Sequence, residues 1–178
     1  SLSRAAIVLS AELSLRRKDP AAALTALDSI KLNRYAAEMK LQALKMSDDW
    51  RASMASLPEL RKLLQTEPFE NEIALIGLKA EAGNDTELNE LFKSLGPSAR
   101  YSREVLSQYV QSLSYKAHAE PLLRAAIKRS WDSCYVLLYG DADFDTLKAR
   151  RKAAESWLKL HGEDQALHYC LGCLYELS

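Results

Sequence analysis

β-Branched residues are scarce in this 178-residue chain: four valines, five isoleucines and four threonines stand against 31 leucines and 25 alanines. Strands draw on β-branched side chains and helices on Leu and Ala, so the balance predicts an all-α fold. The six glycines are isolated, at 77, 83, 96, 140, 162 and 172. They cannot assemble a Gly-rich phosphate loop of the dinucleotide or P-loop kind, which sets aside most nucleotide-dependent enzymology. Neither sign of charge is in excess, because 24 basic residues meet 24 acidic ones. That even mixture argues against a nucleic-acid surface or an anionic-lipid tail. Apolar runs are short; Ile73–Leu78 falls well below the ~20 residues that cross a bilayer. Cysteine is limited to an odd set, Cys134, Cys170 and Cys173, which points to a reducing compartment or to incidental thiols. A start at Ser1 and a stop at Ser178 inside a periodic pattern read as one domain, 1–178, cut from a longer protein.

What the chain does contain is helix punctuation. Asp19-Pro20 sets a capping carboxylate before a first-turn proline, Asn84 caps after Gly83, and Gly96-Pro97 closes one helix and prevents its continuation. Apolar residues between these stops recur at i, i+3 and i+4, as in Leu122, Leu123, Ala126 and Ile127. Eleven helices follow, roughly 2–17, 20–31, 34–47, 49–65, 69–82, 85–95, 98–114, 116–130, 132–140, 143–161 and 163–177. Odd-numbered ones begin near 2, 34, 69, 98, 132 and 163, close to the 34-residue period of the tetratricopeptide (TPR) helix-turn-helix repeat. Small residues recur with them, at Ala11, Ala43, Gly77, Ser107, Gly140 and Gly172, where paired helices would cross closely. Leu171-Gly172-x-x-Tyr175 matches the core of the repeat signature, and Ala23 and Ala119 suit the small position of second helices.

These spacings predict an all-α, TPR-like solenoid of helical hairpins: a right-handed superhelix of about five helix pairs plus one orphan helix, 163–177. First helices of such a fold line a concave groove, so polar side chains there are the candidate partner contacts: Arg34, Glu38, Arg103, Gln108 and Gln111. The outer face of the orphan helix is expected to pack on a second protomer.

His168 with Cys170 and Cys173 is the one cluster with the look of a haem or metal site. On a helix at 100° per residue the two cysteines lie about 60° apart while His168 points about 160° from Cys170, so the set reads as structural filler. His118 and His161 have no nucleophile or carboxylate at a catalytic spacing. Lys148, Arg150, Arg151 and Lys152 spread around a helix and read as a solvated face. Trp50, Trp131 and Trp157 read as inter-helix packing. The expectation is a protein without catalytic residues or cofactor.

Ala119-Glu-Pro-Leu-Leu-Arg-Ala-Ala-Ile-Lys-Arg-Ser-Trp-Asp132 running into Leu137-Leu-Tyr-Gly140, and Ala154-Glu-Ser-Trp-Leu-Lys-Leu-His161 followed by Ala166-Leu-His-Tyr-Cys-Leu-Gly172, resemble the TPR region of HemY proteins of Gram-negative bacteria. Asp49-Trp50 with Leu57-Pro-Glu-Leu-Arg-Lys62 is similar to an earlier second helix of that family. The resemblance implies an inner-membrane protein with an N-terminal anchor, its soluble domain on the cytoplasmic side. It further implies a non-catalytic scaffold for partner proteins, among them late enzymes of protohaem synthesis. Two other readings stand beside it: a TPR adaptor unrelated to haem, and a haem- or metal-binding protein using Cys170, Cys173 and His168.

Overall fold

The computed structural model describes residues 3–141 and 147–177, so the first residues of the expected helix 143–161 lie outside the described part. Every regular element within it is helical, as the composition predicts. In chain order these are α1 (Arg4–Arg16), α2 (Pro20–Asp28), α3 (Arg34–Ser47), α4 (Trp50–Ser53), α5 (Leu57–Leu63), α6 (Glu67–Ala80) and α7 (Asp85–Ser94). They continue as α8 (Pro97–Arg100), α9 (Arg103–Ser112), α10 (Glu120–Arg129), α11 (Ser133–Asp141), α12 (Leu147–His161) and α13 (Gln165–Glu176).

Side chains fix most of the starts. Asp19 accepts from the Ala22 N–H at 3.0 Å, Asn33 from Ala36 at 2.9 Å, Asp49 from Ala52 at 3.0 Å and Asn84 from Glu87 at 3.4 Å, each satisfying an orphan first-turn donor. Three of the expected helices are broken. Residues 49–65 divide into α4, a 3₁₀ turn at Met54–Ser56, and α5, because Pro58 has no N–H to bond one turn back and seats itself in a new first turn. Residues 98–114 divide at Ser102, which is extended and caps α9 by accepting from the Val105 N–H at 3.3 Å. Residues 116–130 open as a 3₁₀ turn, Lys116–Ala119, before Pro121 starts α10.

Close packing joins helices near one another in the chain: α1 on α2, α2 on α3, α4 and α5 on α6, α6 on α9, α9 and α10 on α11, and α11 and α12 on α13. Buried side chains form two clusters that meet on α6. Ile73 and Ile76 complete the N-terminal cluster, while Ala74 and Leu78, on another side of the same helix, open the C-terminal one.

The recurring small residues do not share one environment. Ala11 and Ala43 are fully buried, and a Cβ on Gly77 would stand 2.8 Å from Leu91 Cδ2 of α7, the second helix of its own pair. On Gly140 it would stand 2.8 Å from the Cα of Cys170, so that close approach is to α13 rather than to a hairpin partner. Ser107 is half-buried, 3.7 Å from Cys134 Sγ, and Gly172 is exposed with open space where a Cβ would be. Tyr175 is likewise exposed, its hydroxyl donating to Glu155 at 2.5 Å.

The basic run is not a solvated face. Lys148 and Lys152 are exposed, but Arg150 is fully buried and its Nη2 donates to the carbonyls of Tyr139 and Gly140. Those carbonyls belong to the last turn of α11, where a cation suits the helix dipole. Arg151 donates to the Leu174 carbonyl at 3.1 Å and lies over the Tyr175 ring.

Candidate functional site on the first-helix face

α3 buries Ala36, Ala37, Met39, Leu41 and Ala43, which turns Tyr35, Glu38, Gln42 and Lys45 to its other side. On α6 the stripe of Asn71, Glu72, Leu75 and Lys79 is similarly left beside the core, because Ile73, Ala74, Gly77 and Leu78 point into it. Where these stripes meet α4 and α9, a cleft of about 420 Å³ forms, lined by Lys45, Trp50, Asn71, Glu72, Leu75, Ile76, Lys79 and Glu104.

Charges within the cleft are mutually held. The Lys45 ammonium is 3.0 Å from a Glu72 carboxylate oxygen, and Lys79 sits 4.2 Å above the Trp50 ring, a cation–π contact that fixes both side chains. Asn71 is the unsettled member: its Oδ1 is buried and accepts no hydrogen bond among the described residues. An orphaned amide oxygen costs about 1–3 kcal/mol until a donor reaches it. The cleft thus combines an apolar floor with both signs of charge on its rim.

A second cleft of about 370 Å³ lies between α1 and α3, lined by Glu12, Leu15, Arg16, Tyr35, Glu38, Met39 and Gln42. Glu12 pairs with Arg16 at 2.6 Å and accepts from the Tyr35 hydroxyl at 3.4 Å. Among the groove residues expected from sequence, Glu38 lines this cleft and Arg34 pairs with it at 3.2 Å. Arg103 has another task. Its Nε and Nη2 donate to Asp132 at 2.9 and 2.7 Å, tying α9 to the start of α11, and those bonds raise its pKa further. Gln108 donates to Ser112 Oγ at 2.9 Å within α9, and Gln111 is exposed. The five residues therefore fall into two groups, on α3 and on α9, with α4–α6 between them. Trp50, Asn71, Leu75 and Lys79 were not foreseen; their signal is the polar stripe on α6 opposite a capped tryptophan.

His168, Cys170 and Cys173 have separate neighbours. Cys170 is fully buried, and burial pushes its thiol up to about 12. Cys173 Sγ donates to Asp141 at 3.7 Å, while His168 Nε2 lies 2.6 Å from the Gly162 carbonyl in the α12–α13 loop. Among the described residues no group of three or more His, Cys, Asp or Glu side chains is placed to hold a metal ion. His161 stacks on Trp131 at 3.6 Å and His118 meets Tyr115 edge-on. Trp131 donates to Asp164 at 2.6 Å and packs edge-on against Trp157, in keeping with inter-helix packing.

No helix among the described residues is long and apolar enough to cross a membrane. No family model, curated protein or solved structure matches the chain.

Proposed function

We propose that this chain is a TPR-type scaffold that holds segments of partner proteins along its first-helix face and performs no chemistry of its own. The observation that carries the reading is the cleft around Trp50 and Asn71. Leu75, Ile76 and Trp50 suit an apolar side chain of an extended peptide, and the Lys45, Lys79, Glu72 and Glu104 rim selects its flanks. Support for a repeat architecture comes from the near-34-residue spacing of the first helices and from the packing of α6, α9, α11 and α13 each on the next.

The resemblance to HemY extends the reading: the scaffold gathers late protohaem enzymes at the inner membrane, held there by an anchor in the parent protein and facing the cytoplasm. Neither cofactor nor nucleic acid enters this function. Affinity capture with the full-length, membrane-anchored parent, crosslinked in native membranes and read by mass spectrometry, tests it. Enrichment of ferrochelatase or another late haem enzyme is expected. Recovery of unrelated partners alone would reduce the reading to a general adaptor.

A further inference from the structure

Another cleft lies elsewhere, between the second helices α10 and α12, with a volume of about 590 Å³. Its residues on α12 include Ala149, Lys152, Ala153, Ser156, Trp157 and Leu160, an i, i+3, i+4, i+7, i+8, i+11 stripe, with His161 at its end. They extend over about 16 Å of helix at ~1.5 Å per residue. This stripe lies beside the one that α12 buries through Arg150 and Ala154; Trp157 also packs on the core against Tyr139, while Ala149, Ser156 and Leu160 are exposed. Ile127 and Trp131 close the far wall, and Leu160 is 84% exposed at the open end.

Charge around this cleft is of one sign. Arg124, Lys128 and Lys152 rim it, and among the described residues no carboxylate lines it. Arg124 is partly neutralised by Glu120 at 3.5 Å, whereas Lys128 and Lys152 make no ion pair among the described residues. Lys128 lies in the last turn of α10, where the helix dipole gives it a use. Lys152 lies mid-helix, where the dipole gives it none.

We infer that this cleft docks an acidic amphipathic helix of about three turns from a partner protein, at a site separate from the first-helix face. Ala149 and Ala153 let a helix backbone come close, Trp131, Trp157, Ile127 and Leu160 receive its apolar stripe, and the two free lysines meet glutamates flanking that stripe.

The test uses the whole chain carrying Trp50→Phe, so that indole emission reports Trp131 and Trp157. The probe is a capped 14-residue helical peptide with leucines at i, i+3, i+4 and i+7 and glutamates on both flanks; its control has every glutamate replaced by lysine. Binding of the acidic peptide with a shift in emission is expected, at least tenfold tighter than the control, and weakened at least tenfold by Lys128→Glu with Lys152→Glu. Both substitutions are at exposed positions, and unchanged far-ultraviolet dichroism confirms that the variant is folded. Equal binding of the two peptides, binding indifferent to the double variant, or no binding at millimolar peptide would each overturn the inference. So would a concentration-dependent dimer of the unliganded chain that the double variant abolishes, since a second copy would then be the occupant.

Discussion

Buried side chains from α1 to α5 are almost all Ala, Leu and Met, whereas from α9 to α13 they include Tyr109, Tyr135, Tyr139 and Arg150. The N-terminal half packs through methyl-sized contacts, and its main buried charge, Lys40, escapes to the surface to meet Asp28 at 2.7 Å. In the C-terminal half each buried hydroxyl has an appointed acceptor: Tyr109 donates to Asn89, Tyr135 to the Tyr101 carbonyl at 2.9 Å and Tyr139 to Glu120 at 2.7 Å. Burial and the Glu120 bond together drive the Tyr139 phenol well above its ordinary pKa, so it stays a donor. Apolar interfaces can adjust to small changes of volume, but a buried polar network accepts one arrangement. The first half is therefore the adaptable part of the chain and the second the rigid part, with the mixed-charge cleft on α6 where the two meet.

Four experiments press on that contrast. The largest effect is expected at Arg150: replacement by Ala strands two α11 carbonyls in the core and should cost about 3–5 kcal/mol in urea unfolding, whereas Lys40→Met should cost under ~1 kcal/mol. Comparable losses from both would erase the distinction. Next come two of the tight glycines. Gly140→Ala drives a methyl into the Cys170 backbone and should cost about 1–3 kcal/mol, while Gly77→Ala meets only the end of the Leu91 side chain and should be neutral or gain up to ~1 kcal/mol of helix propensity.

Acid sensitivity is the third contrast. The Trp131 indole N–H holds the Asp164 carboxyl below the usual range, opposed by partial burial and aided by the Ala166 and Leu167 amides. Asp85 is a parallel case: burial would raise it, but the Ser114 and Tyr115 amides outweigh that. Asp164 belongs to the second half, and Asp85, at the start of α7, is tied to it through Ser114 and Tyr115. A folded pKa below the unfolded ~3.9 means that the stabilisation is complete above about pH 4 and fades as pH falls through the folded value. Asp164→Asn should therefore flatten the decline of stability below pH 4, measured by Trp emission, and an unchanged acid limb would contradict the assignment. The smallest effect is chemical. Half-buried Cys134 and Cys173 should react with a thiol reagent in the folded chain, and Cys170 only on unfolding.

Helix content and most starts were legible because caps act locally: Asp19, Asn33, Asp49 and Asn84 each bond an amide three residues on. The break at Ser102 was less so, since its capping signal competed with an uninterrupted apolar pattern on either side. Arg150 was misread for a different reason. Its burial depends on the α11 carbonyls ten residues away, and residue type alone gives no sign of that partner. Gly172 belongs to a sequence motif, but a close crossing requires a second helix against it, which periodicity cannot supply. Likewise Glu38 was placed on a cleft from helix face alone, while Arg103 was lost to Asp132 and Asn71 gained only once α4, α6 and α9 had been brought together.

The proposal that partners dock on the first-helix face is tested most directly by a photocrosslinking residue at Leu75 of the chain, illuminated in a cell lysate beside a control at exposed Thr86 on α7. The account predicts a discrete protein adduct from position 75 that position 86 does not form and that Asn71→Ala diminishes. Equal labelling from both positions, or none from position 75, would contradict it.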